Sequence, residues 1–252
     1  LIIMLISFFE EFPTKNNLNK LNLITFPTKL YLAAKSLNEF NQIKSTIKNK
    51  FIKEFIYWPT LEIKEGYWIS PFTKRRALKR IFEELKNNPT STMLDLEWPL
   101  TKNPFLFLTQ SLNFSRNKKL IRNFINNHKE KVYLCEYYPE GKKKDWFLEK
   151  MGLHYNNKKA KIIKMFYHSM HPSFNKDFFR KELQRGKELH QNNFIASFGT
   201  IAIGMKGNEP ILTKEQLSQD LKIAKENNIQ EVIIFRLGGL NQEYLNIIKT
   251  NT

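Results

Sequence analysis

The sequence has little cysteine and little glycine, and each shortage excludes a class of protein. Cys135 is the only cysteine among 252 residues, so the chain can form neither an internal disulfide nor a cysteine cage for a metal. A single thiol favours a reducing compartment, and we expect a cytoplasmic location. Nine glycines, without repeats or biased tracts, argue against fibrous or disordered structure. Because hydrophobic residues make up 41% of the chain, we predict a globular protein.

Long apolar runs are also missing. The opening stretch LIIMLISFF, residues 1–9, is too short to span a bilayer. It is followed by EEFPTKNN, where the cleavage site of a signal peptide would need small residues. We therefore predict that this stretch is a buried first strand, and that the chain has no transmembrane segment.

Acidic residues are scarce relative to basic ones, with 24 Asp and Glu against 41 Lys and Arg and a net charge of +17. Such an excess suggests nucleic acid, anionic lipid or an acidic polymer as partner. However, no arginine-rich stripe or nucleic-acid motif concentrates the charge, although GKKKDW, residues 141–146, is a local basic loop. The spread of Lys and Asn along the chain instead indicates a solvated basic surface.

Short segments rich in β-branched and aromatic residues alternate with amphipathic segments of helical length. The predicted strands are residues 2–9, 29–35, 54–58, 92–98, 132–138, 162–168, 193–201 and 231–237. The predicted helices are residues 74–88, 117–129, 145–151, 175–191 and 242–249, and two more begin at the capping-box patterns Ser36/Glu39 and Thr213/Gln216.

Eight strand-helix units in a chain of this length predict a single (β/α)8 TIM barrel over residues 1–252, since such barrels have about 250 residues. The alternative is an open doubly wound sheet. That fold usually has a glycine-rich phosphate turn after the first strand, where this chain has SFFEEFPTK.

Active sites of such barrels lie where the strands end, so polar and aromatic residues there are the candidates for ligand binding. The candidate substrate-binding residues are Lys35, Trp58, Trp98, Glu136, Tyr138, His168 and Arg236. Glu10, Glu11, Glu62 and Ser197 lie at similar positions. The loop after the third strand adds Tyr57, Tyr67 and Trp68, whose flat rings are suited to stack on a sugar or to pack as a hydrophobic lid.

The fourth predicted strand, STMLDLEWPL at residues 91–100, contains an acidic pair in an apolar run. Because side chains alternate along a strand, Met93, Asp95 and Glu97 share one face. We expect both carboxylates to point into the mouth of the barrel, where like charges raise the pKa of one of them. That condition suits a general acid, whereas neutralisation by Lys35 or Arg236 would indicate a structural pair.

The segment LDLEWP resembles the fourth-strand signature of family 18 glycoside hydrolases, the chitinase-like TIM barrels. The resemblance implies that Glu97 is the general acid and that Asp95 orients the acetamido group of the substrate. It also implies that Tyr167, in KMFY, supplies a hydroxyl to the reacting sugar. The chain departs from the family pattern at Met93, which replaces a carboxylate, and in VIIFRLGGL, which lacks the usual strand-eight Trp.

Two other functions stay open. A metal-dependent phosphodiester or sugar-phosphate enzyme would place Asp95, Glu97, Glu136 and His168 around one divalent ion. The sequence has no His-x-His spacing, and only His171 stands near His168, so we expect no metal or cofactor. The other function is an inactive barrel that binds a carbohydrate without turnover, which Met93 favours and Glu97 opposes.

Overall fold

The protein is described by a computed structural model that covers residues 4–100, 105–137, 141–168 and 175–251. Eight parallel strands close into one barrel in chain order, from β1 to β8 and back to β1. The strands are β1 Leu5–Glu10, β2 Thr28–Ala34, β3 Ile52–Pro59, β4 Thr92–Leu96, β5 Val132–Glu136, β6 Lys161–Tyr167, β7 Phe194–Gly199 and β8 Glu231–Phe235. The predicted (β/α)8 barrel is therefore confirmed, and every predicted strand overlaps an observed one. The extent of the domain over residues 1–252 stays a prediction.

Helices follow the strands around the barrel. They are α1 Lys15–Leu18, α2 Leu37–Thr46, α3 Arg75–Asn87, α4 Phe105–Ser111, α5 Phe114–Asn127, α6 Lys142–Met151, α7 Lys176–His190, α8 Lys214–Glu226 and α9 Gln242–Asn251. The short helices α1 and α4 were not predicted from the sequence, because neither is long enough to show a helical period. Among the described residues, no helix is long and apolar enough to cross a membrane.

The two predicted capping boxes have different outcomes. At α8 the pair is reciprocal, since Thr213 accepts from the backbone N–H of Gln216 and the Gln216 side chain accepts from that of Thr213. At α2 the Ser36 hydroxyl accepts from the Glu39 N–H, but the Glu39 carboxylate accepts from the Lys35 N–H instead. At α2, therefore, only the Ser36 half of the predicted capping box forms.

Alternation along the strands divides the buried side chains into two layers. One set packs between the strands and the surrounding helices, as Leu94 on β4 and Phe166 on β6 do. The other fills the inside of the barrel and is rich in aromatic rings. Tyr31 lies at its middle, with ring centroids of Phe9 and Tyr133 both 5.2 Å away. The interior is thus a packed core rather than a channel.

Below this core, at the end of the barrel where the strands begin, an ion-pair network is well satisfied. The Lys29 ammonium lies 2.6 Å from Glu231, and Glu231 also accepts hydrogen bonds from the hydroxyls of Ser7 and Tyr31. Glu54 pairs with Lys131 at 3.1 Å. Polar groups at this end of a barrel serve stability. The opposite end has a cavity.

Candidate active site

The acidic pair of β4 lies in the mouth of the barrel, as the alternation predicts. Asp95 and Glu97 are only 4% and 8% exposed, and both line one cavity, with Met93 below them. The ladder between β3 and β4 is short, and beyond it the loop after β3 pairs with β4, because the Ile69 N–H donates to the Asp95 carbonyl at 2.9 Å. This loop fixes the backbone that carries the pair.

The cavity above the core has a volume of about 200 Å³. That is below the roughly 300 Å³ at which pockets for drug-sized ligands begin, so it suits one small ligand unit. Its wall combines acidic, aromatic and thioether side chains. The residues are Phe9, Glu11, Trp58, Trp68, Met93, Asp95, Glu97, Cys135, Met165, Tyr167, Thr200, Met205, Lys206, Asn208, Glu209, Pro210 and Phe235.

Burial and mutual repulsion make the β4 carboxyls weak acids. Burial is the main cause that raises the pKa of Asp95 well above its ordinary value, and the charges of Glu97 and Glu11 add to it. Burial also raises the pKa of Glu97, against the opposing effects of Lys206 and of a hydrogen bond from Tyr137. Asp95 Oδ1 is buried and has no hydrogen-bond partner. Burial therefore makes both groups weaker acids than an exposed Asp or Glu.

A third carboxyl, Glu11, reaches the cavity from the residue after β1. It is 6% exposed and accepts a hydrogen bond of 3.0 Å from the Tyr67 hydroxyl. Its other oxygen, Oε2, is buried without a partner. Burial raises the pKa of Glu11 to about 7. The sequence placed Glu11 at the rim but gave no reason to choose it over Glu10, its neighbour.

The loop between β7 and α8 covers the cavity and supplies its cation. Lys206 Nζ lies 3.9 Å from Glu97 Oε2 and 5.5 Å from the ring centroid of Trp68. Glu209 holds the loop by accepting from the backbone N–H groups of Gly204 and Lys206, each at 3.2 Å. Only a glycine fits at 204, since a Cβ there would lie 2.8 Å from the Phe235 ring. Sequence reasoning missed Lys206, although the glycines of GMKGNEP mark a loop at this strand end.

Aromatic residues on three other strands complete the cavity. The Tyr167 hydroxyl is 3.0 Å from Ser197 Oγ. The buried indole Nε1 of Trp58 has no hydrogen-bond partner. Phe235 lies at the end of β8. Trp58 and Tyr167 were both predicted site residues, and both line the cavity with Asp95 and Glu97.

Glu136 does not belong to this group, and its expected place at the rim is wrong. In the ladder between β4 and β5, Glu136 pairs with Leu96, whose side chain packs against the helices, and not with Asp95. The Glu136 side chain therefore points out of the barrel. There Glu136 accepts from Lys164 Nζ at 2.6 Å and lies 2.7 Å from His154 Nδ1. Despite complete burial, these two partners lower its pKa to about 2.

Other predicted residues lie outside the cavity. Lys35 is exposed and pairs with Glu62 at 2.8 Å, which also leaves it no desolvated amine for a Schiff base. Arg236 pairs with Glu10 at 3.1 Å, and His168 Nε2 lies 2.9 Å from Asp220. None of these three neutralises the β4 pair.

The remaining predicted residues are two aromatics. The ring of Trp98 packs against Phe72, with centroids 5.3 Å apart, and does not line the cavity. Its backbone N–H donates to the Tyr137 hydroxyl, which in turn bonds to Glu97. Tyr138 lies outside the described residues, as does His171.

The ligand set expected for the metal-dependent alternative does not come together. Glu136 and His168 are turned away from Asp95 and Glu97, and within the described ranges no group of three His, Cys, Asp or Glu residues is placed to hold a metal ion. The glycine turn after β8 does not offer a free phosphate cradle, because the Gly238 N–H donates to Glu10 at 2.7 Å.

No protein-family model and no curated protein matches the sequence. Solved structures that resemble the chain include a chitinase from Chromobacterium violaceum, with a TM-score of 0.62 and 10% identity over 99% of both chains. They also include a 3-keto-D-glucoside 4-epimerase from E. coli, with 0.54 and 14% over 99% of both chains. A class V chitinase from Nicotiana tobaccum has 0.53 and 10%, over 98% of this chain and 99% of that one. At such identities the likeness shows the fold alone, and chitinases are among its structural neighbours, as the resemblance of LDLEWP implied.

Proposed function

We propose that the protein is a glycoside-hydrolase-like barrel that acts on a carbohydrate, with Glu97 as the general acid. The observation that carries the proposal is the cavity itself, where two buried carboxyls of β4 face a space lined by Trp58 and Tyr167. The chitinases and sugar epimerases among the similar structures support a carbohydrate as ligand.

Glu97 suits the acid role because burial raises its pKa, which favours the protonated form that a general acid needs. Glu97 donates this proton to the glycosidic oxygen as its bond to the anomeric carbon breaks, and water finally bonds to that carbon and becomes the hydroxyl of the released sugar. Lys206 and Tyr137 then stabilise the carboxylate that remains, since both already favour the charged form. Burial thus favours the protonated form of Glu97 before the step, and Lys206 and Tyr137 favour its carboxylate after the step.

Asp95 and Tyr167 are the orienting groups in this proposal. Asp95 presents an unpartnered oxygen to the cavity, and that oxygen can accept a hydrogen bond from the bound sugar. Tyr167 faces the same space, held by its hydrogen bond with Ser197. Trp58 offers an indole N–H that also has no partner in the free protein. Substrate would satisfy both buried groups.

The test is hydrolysis of a panel of fluorogenic glycosides, including N-acetylglucosaminides, by wild type and Glu97→Gln, with and without EDTA. Removal of a general acid costs about 10² to 10⁴ in rate, so Glu97→Gln should lose that much activity, and EDTA should change nothing. Glu62→Gln, which removes an exposed rim carboxylate outside the cavity, is the matched control and should keep full activity.

Activity that survives in Glu97→Gln would contradict the assignment of the acid. Activity that EDTA abolishes would favour metal chemistry instead. No turnover of any substrate, together with saturable binding of a sugar, would favour the non-catalytic carbohydrate-binding barrel. Met93, which stands where the family pattern has a carboxylate, also favours that alternative.

A further inference from the structure

The cavity wall contains more acidic than basic side chains, although the protein as a whole is basic. Four carboxyls belong to its wall, and Lys206 is the one cation among its lining residues. Lys206 forms its ion pair with Glu97, and its charge also acts on Asp95, whose charged neighbours further include Glu11. In the part of the chain that the structure describes, neither Glu11 nor Asp95 forms a salt bridge.

Two oxygen atoms of the cavity wall indicate what kind of ligand would fit. Glu11 Oε2 and Asp95 Oδ1 are both buried without a hydrogen-bond partner. Both are acceptors when ionised, and buried acceptors without a donor are rare in native proteins. A ligand that fills this side of the cavity must therefore bring hydrogen-bond donors, and a positive charge would balance the excess of carboxylates.

The ammonium group of Lys206 shows how the cavity wall can hold a primary amine. Lys206 Nζ sits between the Glu97 carboxylate, 3.9 Å away, and the face of Trp68, 5.5 Å from its centroid. A carboxylate on one side and an indole face on the other is a favourable setting for a primary amine. Glu11 and Trp58 offer a carboxylate and an aromatic ring to the same cavity, and within the described ranges no lysine forms an ion pair with Glu11.

We propose that the cavity binds an amino sugar through its protonated amine, and that the Glu11 carboxylate receives this amine. The inference rests on the proposed function, which supplies the sugar part of the ligand, and it adds that this ligand carries a positive charge. It assigns Glu11 as a specificity residue, with the Tyr67 hydroxyl orienting its carboxylate. A neutral sugar of the same shape supplies donors but no charge, and it leaves the repulsion among the carboxylates in place.

The test compares three monosaccharides by NMR titration at pH 8, namely glucose, glucosamine and 6-amino-6-deoxyglucose. At least one amino sugar should bind about tenfold or more tightly than glucose, the ratio that one unscreened charge contact readily gives. Glu11→Gln keeps the shape and the acceptor for Tyr67 but removes the charge, and it should bring the ratio close to one. Glu62→Gln makes the same change of net charge outside the cavity and should keep the preference.

A second readout separates binding by charge from a change in shape. Since burial holds the pKa of Glu11 at about 7, the affinity for 6-amino-6-deoxyglucose should fall as pH drops from 8 to 6, while its alkyl amine stays protonated. The affinity for glucose should not follow this curve. The charged or titratable groups that face Glu11 are Tyr67, Asp95, Glu97, Lys206, Glu209 and Arg236.

Equal affinity for the three sugars in the wild type would overturn the proposal, as would an amine preference that Glu11→Gln retains. Neither result depends on turnover. An amine preference without hydrolysis of any glycoside would support the charged ligand and defeat the proposed hydrolase, whereas hydrolysis of neutral glycosides without the preference would do the reverse.

Discussion

Asp95 and Glu136 lie near the ends of neighbouring strands, yet their side chains enter opposite sides of the barrel wall. Both are buried. Glu136 faces the helices, where Lys164 and His154 surround it and lower its pKa to about 2. Asp95 faces the cavity, where Glu97 and Glu11 are its charged neighbours and its pKa is raised well above the ordinary value.

The difference shows that the side of the barrel wall that a strand residue faces decides whether the pKa of its buried carboxyl is raised or lowered. Burial acts in the same direction on both groups, since it disfavours the charged form. What differs is the supply of cations. The outer layer and the lower end of the barrel provide them, as the Lys29 pair with Glu231 also shows. Among the described residues that line the cavity, Lys206 is the one basic side chain.

The largest expected effect comes from removing a cation on the structural side. Lys164→Met leaves Glu136 fully buried, with His154 and the backbone N–H of Tyr155 as its remaining partners. Loss of one partner of a buried pair costs about 3–5 kcal/mol, so urea denaturation should show a decrease of that size in the free energy of unfolding. Lys159→Met, an exposed lysine in the preceding loop, is the control. An equal, small effect of both variants would contradict the structural role.

The next effect is the pH dependence of stability, which has opposite signs for the two kinds of carboxyl. Glu136, with a lowered pKa, stabilises the protein above pH 4.5 and loses its contribution as pH falls toward about 2. Glu11, with a raised pKa, contributes below pH 4.5 and loses that contribution as pH rises through about 7.

Glu11→Gln should therefore flatten the loss of stability between pH 4 and pH 8. From the shift of its pKa, the wild type should lose on the order of 3 kcal/mol more than the variant over this range. Urea titrations at both pH values measure the difference. Parallel losses in the two proteins would show that Glu11 is not a buried, unpaired acid.

A smaller effect is expected at Asp95. Asp95→Asn removes a charge that the folded protein tolerates poorly, so at pH 8 the variant should be more stable than the wild type by about 1 kcal/mol while it loses activity. A gain in stability with loss of function is typical of a site held under electrostatic strain. A marked loss of stability would instead show that Asp95 is a structural group.

The smallest effect is expected at the rim. The pair of Lys35 and Glu62 is exposed to solvent, and such pairs contribute about 0–1 kcal/mol. Lys35→Ala should thus unfold at nearly the wild-type urea concentration and hydrolyse glycosides at the wild-type rate. A large loss of activity would restore Lys35 as a site residue.

The sequence predicted the architecture well because the barrel repeats one local pattern eight times. The same alternation correctly placed Met93, Asp95 and Glu97 on one inner face. It failed for Glu136, since the facing of one strand depends on its register with the next, and a single sequence does not contain that register.

Residues on loops were the hardest to predict. Arg236 and Lys35 stand at strand ends, but their pairing with Glu10 and Glu62 is decided by three-dimensional neighbours. Glu11 and Lys206 join the cavity because their loops fold over it, and no periodicity marks such a position. The candidate acids were therefore visible in the sequence, whereas the groups that tune them were not.

The most direct test of the account is a titration of the carboxyl carbons by NMR from pH 2 to pH 9, with Glu97, Asp95, Glu11 and Glu136 assigned through single variants. The account predicts that Glu136 stays ionised down to about pH 2 and that Glu11 titrates at about 7. It also predicts that Asp95 and Glu97 titrate above their ordinary range. If Asp95 and Glu97 both titrated at or below ordinary values, neither would keep a proton for general acid catalysis, and the proposed catalysis would be contradicted.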